Sequence, residues 1–258
     1  MEFKLLGPVE ARIGGRSVPL DGSKLRTVLA ALLFANCRHL SDLRMGYLLW
    51  GERPPTTPSA QICTYVSRLR HRLQKGGLEI TRQGTSYKLS TGQWEVDHRK
   101  FQTLADLGGR YLRDGDVMHA ENTLSRALAL WRGPALCDVT RYLSAAELPG
   151  LEESRIMALE RHIEARLALG MHPELVPELT RLVSEDPLRE RFRIQLMIAL
   201  YRCGRPADAL QVYHQGRAML AQDLRVAPGE ELRRVHQAIL VGDPDLDGPR
   251  VLHVTGAA

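Results

Sequence analysis

The chain has 258 residues, 44% of them hydrophobic and 25% charged, with four cysteines and a formal net charge of +5. This composition suits one large or two ordinary folded domains and argues against disorder on a large scale. The N-terminal residues lack the charged, apolar and cleavage segments of a secretion signal. No apolar run approaches the roughly 18 residues of a membrane span, so a cytoplasmic location without membrane contact is the expectation.

Cys37, Cys63, Cys137 and Cys203 are scattered without a CxxC or Cys/His pairing. A disulfide framework and structural zinc are thereby disfavoured, and four reduced, mostly buried thiols are expected. The positive charge is local. Residues 1–96 hold 14 Lys/Arg against 7 Asp/Glu, whereas residues 97–258 hold 21 against 23. Within residues 57–90 the count is 6 against 1, a concentration that suits a phosphate-binding surface.

In chain order, residues 3–8, 9–13 and 17–20 read as three short strands turning at Gly14-Gly15, a small N-terminal sheet. Ser23 is placed to cap a helix over residues 24–35, striped by Leu25, Val28, Leu29, Leu32 and Leu33. Ser41 or Asp42 opens a second helix that ends at Trp50-Gly51. Pro54-Pro55 bars helix from the following loop. The chain then enters the long segment PSAQICTYVSRLRHRL, residues 58–73.

On a helix, that segment places Ile62, Val66, Leu69 and Leu73 in one stripe, with Tyr65 at its edge. The other side collects Thr57, Ala60, Thr64, Ser67, Arg68, His71 and Lys75, with no acidic residue. Arg70 and Arg72 fall on the flanks, within reach of phosphates on either side of a major groove about 12 Å wide. Gly76-Gly77 ends the helix. Residues 78–82 and 87–90, joined across 83–86, then read as a hairpin carrying Arg82 and Lys88. Three helices, the third basic and followed by a hairpin, give the order of a winged helix-turn-helix. The leading sheet narrows it to the OmpR-type variant.

A boundary is expected at residues 91–96. Beyond it helices are expected over 97–113, 116–131, 142–169, 173–184, 188–203, 206–222 and 229–241, then a loose tail from 243. Gly170 and Gly204 are 34 residues apart, the period of tetratricopeptide units. Leu175 and Ala209 match at +5, Leu179 and Tyr213 at +9, Leu182 and Gly216 at +12. Gly115 opens an outlying copy with Ala120, Leu124 and Ala127 at the same offsets. The fold class expected is therefore mainly α: a winged helix in residues 1–93, then an all-α tetratricopeptide-like domain in residues 97–242.

KLRTVLAALLFAN, LLWGERPPTTPSAQICTYVSRLRHRL and ITRQGTSYKL are similar to the DNA-binding domain of the Streptomyces antibiotic regulatory protein family. Leu49-Trp50-Gly51, Pro54-Pro55 and the residues from Tyr65 to Arg70 stand at its signature positions. Ser86-Tyr87 departs from the usual Gly-Tyr of the wing. Residues 127–133, 187–191 and 199–205 resemble the bacterial transcriptional activation domain that follows, so the likeness is to the small two-domain type. Larger members continue into a nucleotide-binding ATPase module. The resemblance implies an activator of secondary metabolite (antibiotic) genes, binding direct repeats of double-stranded DNA near the promoter −35 element as a homodimer. It also implies contact with RNA polymerase holoenzyme, including the sigma factor. A helical-repeat adaptor, or a repressor with the same docking, is the alternative.

Under that reading Ala60, Thr64, Ser67, Arg68 and His71 face base edges. Arg68 is foremost, because a guanidinium reads guanine through two bonds. Lys24, Arg26, Arg70, Arg72, Lys75, Arg82, Tyr87 and Lys88 hold phosphates. Projection leaves Thr64 and Ser67 open to either role. No catalytic residue, cofactor or metal is expected: GxxxxGK[ST], GxSxG and HExxH are absent, and His162-Ile163-Glu164 lacks the PCxxC partner of a zinc deaminase.

Overall fold

A computed structural model describes residues 1–90 and 94–248. It divides into two compact units, Met1–Ala105 with Arg126–Ile156, and Asp106–Ser125 with Met157–Ala258.

In the first unit, β1 (Glu2–Lys4), β2 (Glu10–Ile13) and β3 (Arg16–Val18) form the leading sheet. Three helices follow: α1 (Ser23–Phe34), α2 (Asp42–Trp50) and α3 (Pro58–Leu73). α1 buries the stripe drawn from its sequence, but its N-cap is Gly22; Ser23 is already helical and caps nothing. Ser41 does cap α2, accepting from the Arg44 amide, and Gly51 ends it at φ 65°. A side chain at Gly51 would be strained in that left-handed backbone and would meet the Tyr142 ring.

Two strands were not apparent from the sequence. β4 (Leu40–Ser41) joins the hairpin of β5 (Ile80–Gln83) and β6 (Ser86–Leu89) in the order β4-β6-β5. β7 (Glu95–Val96) pairs parallel with β1 and completes the sheet β3-β2-β1-β7. The expected boundary at 91–96 therefore includes a strand of the N-terminal sheet; Thr91, Gly92 and Gln93 lie outside the described residues.

Asp97, the residue after β7, opens α4 (Asp97–Arg113) and is a buried hub. Its carboxylate accepts from the amides of Leu5 (2.7 Å), Leu6 (3.1 Å) and His98 (2.7 Å), with the Arg132 guanidinium 4.0 Å away. Burial raises the carboxyl above its usual range, while those amides and Arg132 pull it back. The chain near Arg132 keeps to the same sheet. Arg132 reaches Glu10 at 2.6 Å and the Pro8 carbonyl at 2.9 Å, and Asp138 accepts from the Val9 amide at 2.9 Å. The Thr140 hydroxyl then donates to the Leu48 carbonyl at the end of α2, and its amide donates to Thr27 of α1. The first compact unit thus extends well beyond residue 93.

The remaining helices are α5 (Val117–Leu128), α6 (Arg141–Ala168), α7 (His172–Glu185), α8 (Glu190–Arg202), α9 (Pro206–Met219) and α10 (Glu230–Val241). In the second unit α8 is the centre, buried from Phe192 through Leu200 and packed by α7, α9 and α10. A helix enclosed on all sides must satisfy its polar residues internally. Arg193 donates to the carbonyls of Val212 and Pro187, and Gln195 to that of Glu160.

The repeat offsets carry structural weight. Leu175, Leu179, Leu182, Ala209, Tyr213 and Gly216 are buried, as are Ala120, Leu124 and Ala127 of the outlying copy. Gly115, Gly170 and Gly204 all hold the left-handed backbone at φ 73–82°, which ends one helix and lets the next turn back. At Gly216 an added Cβ would lie 2.4 Å from Arg193 Nε, so a larger residue would displace the Arg193 side chain.

Two expectations are corrected. None of the four thiols is buried; Cys63 and Cys137 are exposed, Cys37 and Cys203 half-buried. The start of the tail is not loose: a turn at Pro244–Asp247 buries Leu246, and Arg202 donates to the carbonyls of Leu246 and Gly248. Residues 249–258 lie outside the described residues.

Asp97→Ala leaves two buried amides without an acceptor and should destabilise the protein by about 2–4 kcal/mol, read from the urea midpoint. His236 stacks on Tyr213 at 3.8 Å, and burial, then His214 and Arg217, lower its pKa. A depressed histidine favours the fold above its ordinary pKa and loses that contribution as pH falls below it. His236→Phe keeps the stack without the titration, so the stability lost between pH 7.5 and 5.5 should be smaller than in the wild type.

Candidate nucleic-acid interface

α3 is two-faced, as its sequence requires. Ile62, Val66, Leu69 and Leu73 are fully buried between α1 and α2, with Tyr65 half-buried at the edge. Ala60, Thr64, Ser67, Arg68 and His71 are all exposed on the other side. The Thr64 hydroxyl donates to the Ala60 carbonyl at 3.0 Å, which leaves its oxygen able to accept. Pro58 is the first helical residue, which suits a position whose amide has no partner within the helix.

The wing is fixed to this helix and to α2. Arg70 donates through Nε to the Ile80 carbonyl at 2.9 Å, and its second nitrogen reaches the same oxygen. The Asp42 amide donates to Thr85 in the wing turn at 2.7 Å, while Leu40 and Ser41 pair with Tyr87 and Ser86. Lys88 alternates with the buried Tyr87 and Leu89 along β6 and is half-exposed.

The residues proposed for phosphates therefore differ in availability. Lys75 is exposed at the end of α3, and neither it nor Lys88 forms an ion pair among the described residues. Lys24 lies 5.6 Å from the centre of the Trp50 ring. Arg82 stands over Tyr87, bonds to Gly84 in the wing turn and lies 3.5 Å from Asp42. Arg26 does not face outward: it donates to the carbonyls of Asp138 and Leu20 and pairs with the Asp138 carboxylate at 3.1 Å. Arg72 is held by the Pro19 carbonyl and, at 2.5 Å, by Asp21. Tyr87 is only 1% exposed and belongs to the core, not to a phosphate-binding surface. Burial raises its phenol pKa, with Arg82 opposing.

A model of the bacterial transcriptional activator domain matches residues 96–240. The regulatory protein DnrI of Streptomyces peucetius is 33% identical over 97% of both chains. The chain belongs to the Streptomyces antibiotic regulatory protein family. Regulatory protein AfsR of Streptomyces coelicolor is 38% identical over 95% of this chain, which spans about a quarter of that relative's length. A solved structure of Mycobacterium tuberculosis EmbR in complex with a low affinity phosphopeptide has a TM-score of 0.89 at 33% identity, covering 95% of this chain and 66% of the other.

In this family member the structure adds two features near α3 that the sequence reading missed. Leu43 (85% exposed), Arg44 and Tyr47 of α2, with Pro54, Pro58 and Thr85, border a groove of about 670 Å³. The i, i+4 spacing of Leu43 and Tyr47, opposite the buried Met45, Leu48 and Leu49, was the available signal. Asp21 is the other: its carboxylate reaches the C-terminal half of α3, and its solitary position in the loop before α1 carried no signal.

Arg26→Ala should lower stability by about 1–3 kcal/mol through unpaired buried groups. Its salt dependence of DNA binding should match the wild type, because this guanidinium is already occupied within the protein; parallel melting and filter-binding measurements check both.

Proposed function

We propose that the chain is a sequence-specific DNA-binding transcription activator of secondary metabolite (antibiotic) genes, working in the cytoplasm. The observation that carries this reading is the exposed face of α3, Ala60, Thr64, Ser67, Arg68 and His71, held beside a wing that α2 and Arg70 fix in place. An α-helix fits the major groove, and side chains of these types read base edges there. Arg68 supplies the two-bond contact to guanine. Lys75 and Lys88 hold phosphates, joined by Lys24 and by Arg70 and Arg82 where their present partners leave donors free.

Residues 1–93 supply the winged helix and residues 97–242 the activation domain. Two protomers bind direct repeats near the −35 element. Repeats about one helical turn apart set both copies on one side of the duplex, where polymerase with its sigma factor is recruited. Repression through the same docking is the alternative outcome, and run-off transcription with purified polymerase separates the two by the sign of the change. A helical-repeat adaptor has no need of so concentrated a basic face.

Footprinting on neighbouring promoters should show protected direct repeats, and failure to protect any duplex at low salt would overturn the reading. Arg68→Ala should relax preference at one base position by about 1–3 kcal/mol. Lys75→Ala should weaken binding to all sequences alike and reduce the slope of log affinity against log salt by about 0.9.

A further inference from the structure

Asp21 is the single acidic member of a concave patch of about 370 Å³ that it shares with Leu25, Ser67, Arg68, His71 and Arg72. Three of those residues are on the face of α3 assigned to base reading. The Asp21 side chain is 75% exposed, yet its Oδ2 lies 2.5 Å from a terminal nitrogen of Arg72. The other terminal nitrogen of Arg72 donates to the Pro19 carbonyl. Both anchors come from the loop between β3 and α1. Together they turn a guanidinium at the edge of the basic face back toward the protein.

We propose that Asp21 is a latch on Arg72 that limits phosphate binding by the DNA-contact face. The proposal rests on the DNA-binding reading of α3. Non-specific affinity for a duplex comes from phosphate contacts, each releasing counterions, whereas base contacts supply discrimination. A carboxylate at the rim of the contact face acts on the first term in two ways: it occupies a cation that would otherwise add a phosphate contact, and it repels the duplex backbone. Both effects weaken binding to every sequence by about the same factor. What changes is the overall affinity and its dependence on salt, while discrimination between sequences stays with the base contacts. Once the Asp21 carboxylate is removed, Arg72 is held, among the described residues, only by the Pro19 carbonyl. Arg72 then has the reach and the two-pronged geometry that suit a phosphate.

The test is fluorescence anisotropy with the full chain, using a labelled duplex bearing the footprinted repeats and a random duplex, each over a series of potassium chloride concentrations. Asp21→Ala should bind the random duplex several-fold more tightly, with a slope of log affinity against log salt steeper by about 0.9, the value for one added phosphate contact. The duplex bearing the repeats should gain by a similar factor, so the preference between the two duplexes should stay unchanged. Arg72→Gln alone should leave the slope unchanged, and Asp21→Ala/Arg72→Gln should lose the added slope. Melting curves establish that each variant is folded.

Wild-type binding with an unchanged slope in Asp21→Ala overturns the latch alone. So does a slope reduced by Arg72→Gln alone, since that would put Arg72 on a phosphate already, and so does an added slope that survives in the double variant. Absence of binding by the wild type to every duplex overturns the DNA-binding reading and the latch with it.

Discussion

The first unit is arranged around one constraint: α3 must bury a narrow aliphatic stripe while leaving its opposite side open. Ile62, Val66, Leu69 and Leu73 are fully enclosed, and burial of each side chain favours the docked helix by about 1.5–3 kcal/mol. Because the stripe recurs with the helical period, docking it also fixes rotation about the helix axis. Arg68 and His71 are therefore aimed outward by the burial of the opposite side of their own helix. The wing then follows from α3, through Arg70 and the Ile80 carbonyl, and from α2, through the pairing of β4 with β6.

The arginines of this unit show why a charge count overstates an interface. Arg26, Arg70, Arg72, Arg82 and Arg132 each donate to at least one main-chain carbonyl; Arg70 holds the first residue of β5, and the other four brace loops and turns. A guanidinium has five donors in a rigid fork and can satisfy several such oxygens at once; an ammonium has neither the plane nor the reach. The positive charge remains in the field of the basic face. Fewer cations than the sequence suggests are left with donors pointing outward, and Lys75 and Lys88 are prominent among them.

What could be read from the sequence was what periodicity encodes. The stripe of α3, the helices of the second unit and the offsets from Gly115, Gly170 and Gly204 each repeat over enough residues to be distinguished from chance, and each corresponds to burial in the structure. β4 and β7 are two residues long and have no period to detect. The residues whose surroundings differ from the sequence expectation share a different cause. Tyr87, Arg26 and Arg72 have side chains suited to phosphate contact, but partners brought from distant parts of the chain decide their roles: the core under the wing, Asp138, and the loop at Pro19 and Asp21. Asp97 was read as a helix start, and it is one. Its second task, accepting the amides of Leu5 and Leu6, depends on a strand pairing that no local pattern announces.

That pairing bears on how the protein is made. β1 lies at the beginning of the chain, yet its neighbour β7, the carboxylate that accepts its trailing amides, and the Asp138 that accepts from Val9 are 91–129 residues further on. A chain emerging from the ribosome can dock α1, α2 and α3 locally, while one edge of its first strand waits for later sequence. Such distant closures are slow in folding because much chain entropy must be lost before they form. Completion of the N-terminal unit is thereby tied to synthesis of the chain as far as Asp138, and an unpaired strand edge persists in the nascent chain until then.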